Sequence, residues 1–125
     1  MTDAELERLR FPLGRVQPRG DLTSDDRRGL RDRIADTPAR LRSVVAGLGR
    51  EQLDTPYRPE GWTVRQVVHH VPDSHMNALI RFKLALTEDA PTIKPYDEAA
   101  WARLPDGLDD DIETSLSLLE AVHTR

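Results

Sequence analysis

Cysteine is absent from the 125 residues, which excludes disulfides and thiolate metal sites and leaves His and carboxylates as the possible metal ligands. An excess of positive charge is also absent. The formal net charge is −4 and the pI near 5.5, so nucleic acid is not the expected partner, because phosphate binding needs a basic surface. No apolar run approaches the roughly 20 residues that span a bilayer. The opening Met1-Thr2-Asp3-Ala4-Glu5-Leu6-Glu7 lacks the apolar centre of a signal peptide and carries acids instead. The expectation is a soluble, cytoplasmic protein with no nucleic acid and no membrane among its partners. A Gly-rich phosphate loop, a Gly-x-Ser-x-Gly nucleophile turn, convincing strands and internal repeats are missing as well.

What is present is helical periodicity. Residues 1–22 read as an N-terminal arm: a short charged helix, then Pro12, Gly14, Pro18 and Gly20, with Phe11 and Leu13 expected to anchor it to the body. Residues 23–125 read as one helical domain. Thr23-Ser24-Asp25-Asp26 opens a helix with hydroxyl caps and acids at the positive end of its dipole. Leu30, Ile34, Leu41, Val44, Val45 and Leu48 share a face, and the apolar phase carries through Pro38, which predicts one kinked helix rather than two. After a stiff loop at 51–61, Thr63 and Gln66 form a capping-box pattern. A second long helix is predicted from there to about Thr87. The segment Asp89–Gly107 is loop-rich with a short helix at Tyr96–Trp101, and a third long helix opens with the acids around Asp109. Three broad apolar faces leave one groove uncovered, and the sequence stops within an amphipathic pattern. A fourth element is therefore expected to be missing, or supplied by another chain as in a homodimer.

Three of the four histidines, His69, His70 and His75, fall within seven residues of the second long helix. Adjacent residues point about 100° apart, and the i, i+3 or i, i+4 spacing that brings two imidazoles to one metal is absent. Spacing alone therefore gives no local two-His site. His75 sits on the apolar stripe, where a hydrogen-bonded core histidine is the plain reading, and His69 reads as a solvated surface residue. His70 lies on the flank beside Ser74, Asn77 and Arg81, a polar edge suited to line a cleft. Asp73 is either a surface acid or an acceptor that orients one of the imidazoles. Pro72 either kinks the helix harmlessly or re-aims His69 and His70. His123 reads as a last-turn residue favourable to the helix dipole.

Three stretches, Leu53-Asp54-Thr55-Pro56-Tyr57-Arg58, Gly61-Trp62-Thr63-Val64-Arg65-Gln66-Val67-Val68-His69-His70 and Asp73-Ser74-His75-Met76-Asn77, resemble the YfiT-like branch of the DinB superfamily. So do Arg81–Glu88, Lys94-Pro95-Tyr96-Asp97-Glu98 with Trp101, and Phe11-Pro12-Leu13-Gly14. The resemblance implies an all-α, up-down four-helix bundle, of which three helices are in this sequence. It also implies a divalent metal, nickel or zinc, held by three histidines. The activity implied is that of a metal-dependent hydrolase or a thiol S-transferase, on a small-molecule substrate or with a thiol cosubstrate. In that pattern the second His of the pair is the first metal ligand, here His70. The other two ligands belong to a His-x-x-x-His pair on a fourth helix, and no such pair occurs in this sequence. The alternative expectation is a non-catalytic helical module that pairs with a second copy through the uncovered groove. A metal site shared across such a dimer by His70 and His75 is disfavoured by their spacing.

Overall fold

The computed structural model describes residues 1–109 and 111–125. Asp110, one of the acids expected to open the last long helix, lies outside the described residues. Among these residues there are seven helices and no strand: α1 Asp3–Arg10, α2 Ser24–Val45, α3 Arg50–Leu53, α4 Val64–Thr87, α5 Glu98–Ala102, α6 Pro105–Asp109 and α7 Ile112–Thr124. No described helix is long and apolar enough to cross a membrane.

Local signals decide where the long helices begin. Thr23 caps α2 by accepting from the Asp26 amide at 3.1 Å while Asp26 accepts from the Thr23 amide at 3.0 Å. Thr63 and Gln66 do the same for α4. Both helices run unbroken through a proline. Pro38 is buried inside α2 as the apolar phase predicts, and Pro72 is among the most completely buried side chains of α4.

The core forms where α2, α4 and α7 meet: Val45, Val68 and Leu116, flanked by Leu41, Leu48, Val64 and Ile112. Leu119, further along α7, is fully buried. Each such side chain contributes about 1.5–3 kcal/mol by leaving water. Across the outer surface Arg42 of α2 grips α7. Its guanidinium donates to both Glu113 oxygens at 2.8 and 3.0 Å and to Glu120 at 2.7 Å.

The all-α bundle class is what the sequence leads one to expect, and the helix directions add a detail. His69 meets Ser115 and His75 meets His123, so residue numbers rise together along α4 and α7 and the two helices are parallel. The simple alternation of an up-down bundle is not followed at this step. The segment 88–109 returns along α4 before α7 begins, a route that parallel neighbours require and a tight turn cannot provide.

Two expectations need correction. Leu13 is 99% exposed and anchors nothing, while Phe11 packs instead within the arm, under the Arg15 guanidinium at 4.1 Å. Val44 and Ile34 stay 74% and 58% exposed although they continue the apolar pattern of α2. The surface that α7 covers on α2 is narrower than the stripe the sequence shows.

Candidate functional site

The entry to α4 is held by several local constraints. Tyr57 donates its amide to the Trp62 carbonyl at 3.1 Å, and Val64 donates to Thr55 at 3.1 Å, closing the 56–63 loop on itself. Glu60 is in the left-handed region at φ 57°. At Gly61 a Cβ would meet Arg58 Cγ at 2.6 Å and the Arg58 carbonyl oxygen at 3.1 Å, so a side chain has no room. Arg65, on the first turn of α4 and 8% exposed at its side chain, bonds Asp54 at 2.7 Å and ties the loop to the helix. The product of this bracing is the position of Trp62. Its ring meets that of His70 edge-on, with centroids 5.0 Å apart.

His70 is half-buried in a recess of about 130 Å³ between α4, the α5–α6 segment and the start of α7. Asp73, Asp106, Trp101, Thr114 and Ser115 share the recess with it. Gln66 donates to the Ala102 carbonyl at 2.7 Å, which clamps the α5–α6 wall against α4. Gly107 allows a similar closeness, since a Cβ there would sit 3.0 Å from the same carbonyl oxygen. Asp73 is held above the ordinary carboxylate range, first by burial and then by the Asp106 carboxylate, with His70 and His69 pulling the other way. The recess is therefore an imidazole beside two carboxylates, with Trp101 on its wall and Trp62 against the imidazole edge.

The remaining histidines do other work. His69 is buried, not solvated, and its Nδ1 lies 2.6 Å from Ser115 Oγ. Helical spacing places it off the apolar stripe, but α7 covers that flank too. His75 is hydrogen-bonded as expected, yet its partner is His123, with Nδ1 and Nε2 2.6 Å apart and the rings stacked at 4.8 Å. His123 is thus a packing residue as well as a last-turn residue. The polar edge expected beside His70 is present: Asn77 and Arg81 line a neighbouring cleft, and Ser74 lies near the Tyr96 hydroxyl. Asp106, Ser115 and Trp62 were not singled out by sequence reasoning. Only Trp62, immediately before a cap, carried any local signal.

A tetrahedral catalytic site takes about three protein ligands and an open position. Among the described residues no group of three His, Cys, Asp or Glu side chains is disposed to hold an ion. His70 and Asp73 offer one nitrogen and one carboxylate, His69 Nδ1 is taken by Ser115, and His75 and His123 satisfy each other. The described residues do not by themselves fit the metal.

The chain is similar to proteins of two bacilli. One, YfiT of Bacillus subtilis, is provisionally named a metal-dependent hydrolase. It is 48% identical over 117 residues, which are 94% of this chain and 66% of that protein. A relative from Oceanobacillus iheyensis with the same provisional description is 53% identical over 116 residues, 93% of this chain and 67% of its own. The solved structure of Bacillus subtilis YfiT, described as a probable metal-dependent hydrolase with an unusual four-helix bundle topology, superposes with a TM-score of 0.90 at 47% identity. That likeness covers 94% of this chain and 67% of the other. The chain thus spans about two thirds of the length of the curated relatives it matches. Residues 33–125 match the DinB superfamily as a whole, which is most of the chain, and with these relatives it follows that the protein belongs to the DinB superfamily.

Proposed function

We propose that this chain provides the His70 side of a metal-dependent hydrolase site of the DinB type, with nickel or zinc as the metal and His70 as one of its ligands. The observation that carries the reading is the setting of that imidazole. It is half-buried and oriented by Trp62 at 5.0 Å, in a recess that also holds Asp73 and Asp106, rather than spread on the surface. The provisional names of relatives near 50% identity support the same chemistry. What this chain's own residues do is positional. The braced 56–63 loop fixes one side of the imidazole, and Gln66 and Gly107 hold the opposite wall close. Asp73, whose carboxyl is raised first by burial and then by the nearby Asp106, is a group able to hold and release a proton beside His70.

The test is titration of this chain with Ni²⁺ and with Zn²⁺ by calorimetry, alongside His70→Ala. Weak binding is expected, since the donor set is short of three, with the imidazole signals of His70 shifting first in NMR spectra. Equal binding by His70→Ala, or binding that shifts only His75 and His123, would remove the reading.

A further inference from the structure

Next to the His70 recess, and sharing Trp101 with it, lies a second and larger cleft of about 430 Å³ between the middle of α4 and the returning segment 92–97. Its volume is in the range of small-molecule sites. Two cations face it, Arg81 from α4 and Lys94 from the loop. Among the described residues neither has a carboxylate within ion-pairing distance. Arg81 donates to the Lys94 carbonyl at 3.2 Å, which fixes the loop and holds the guanidinium at the cleft. Asp97 is the one acid on the lining, and its carboxylate is already turned to the Ala100 amide at 2.9 Å as the cap of α5. The wall is aromatic: Tyr96 and Trp101 pack at 4.6 Å between centroids, tilted by 51°.

We infer that this cleft binds the carboxylate end of a small molecule with a planar or apolar body, Arg81 and Lys94 meeting the charge and Tyr96 and Trp101 the body. Two cations offset by one acid suit a single negative charge. Guanidinium and ammonium donors to a carboxylate form charge-assisted bonds, stronger than neutral ones. The edges of Tyr96 and Trp101 supply area with little rotamer cost. Because Trp101 borders both cavities, a molecule anchored here extends toward His70. Its role as substrate rests on the function proposed above, whereas its binding does not.

The test is an NMR titration of the full chain with benzoate, benzamide and phenyl phosphate, in the absence of metal, following the Trp101 indole N–H as identified with Trp101→Phe. Benzoate is expected to move that signal saturably and benzamide not to. Lys94→Gln, a change at an exposed side chain, is expected to weaken benzoate at least fivefold. Arg81→Gln is expected to weaken it as much or more. Equal shifts with benzamide, full affinity in Lys94→Gln, or tighter binding of phenyl phosphate would each overturn the assignment. The measurement uses neither metal nor turnover, so its failure would leave the His70 reading standing, and loss of that reading would leave the cleft.

Discussion

His75 Nδ1 stands 2.6 Å from His123 Nε2, so one proton between two rings joins α4 to the last turn of α7. Burial holds His75 below its ordinary value of 6.5, and His123 and then His70 add to the effect. A group whose folded pKa is depressed in this way binds its proton more readily when unfolded. Stability is therefore retained above pH 6.5 and lost as the pH falls through that value and below. Melting temperatures from pH 8 to pH 5 should decline, and His123→Gln, which keeps a hydrogen-bonding partner without a second charge, should flatten that decline. A variant with the same slope would show that the pair does not set the pH response.

Leu119 has no exposed surface and sits on the α7 face that α4 covers. Its replacement by Ala should cost about 2–5 kcal/mol, the span for a buried leucine whose surroundings collapse only in part. Urea unfolding measures it. A loss under 1 kcal/mol would mean that the α4–α7 seam is loosely filled.

At Gly61 the obstruction is backbone and the root of a side chain, not a flexible tip, so the loop itself has to move. Gly61→Ala is expected to lose about 1–3 kcal/mol. Trp62 emission should shift at the same time, because the Trp62–His70 contact depends on this turn. Unchanged emission with lowered stability would separate the turn from the site.

Asp54 answers to acid in the same direction as His75, but through an ion pair rather than burial. The Arg65 hydrogen bond, foremost, holds its carboxyl below the ordinary 3.8. Its stabilisation is present above that value and fades as the pH falls through it. Asp54→Asn should be less stable than the parent near neutrality, and the difference should shrink as the pH falls below the ordinary carboxylate value of 3.8. Parallel curves would assign the effect to something other than this pair.

Much of the fold was legible because it is written locally. Thr63 with Gln66 and Thr23 with Asp26 signal helix starts within four residues, and the apolar phase through Pro38 reads correctly as one helix. What escaped depends on partners far along the chain. His69 could not be told from a surface histidine because Ser115, which satisfies it, is 46 residues away on a helix whose direction no periodicity reveals. The same holds for His123, 48 residues from His75. The polar flank of Asn77 and Arg81 was readable from spacing, but the opposing wall at Lys94, Tyr96 and Trp101 was legible only as a loop with a short helix. Asp106 entered the recess through a turn that carried no apolar pattern at all.

The returning segment between the parallel helices has one further effect. It must pass the full length of α4, and in doing so it lays Lys94 by Arg81, Tyr96 by Ser74 and Ala102 by Gln66. The helix and the wall that faces it are therefore separate stretches of one polypeptide. Drift in residues 92–107 can retune what the cavity admits while the helix that carries His70 stays as it is.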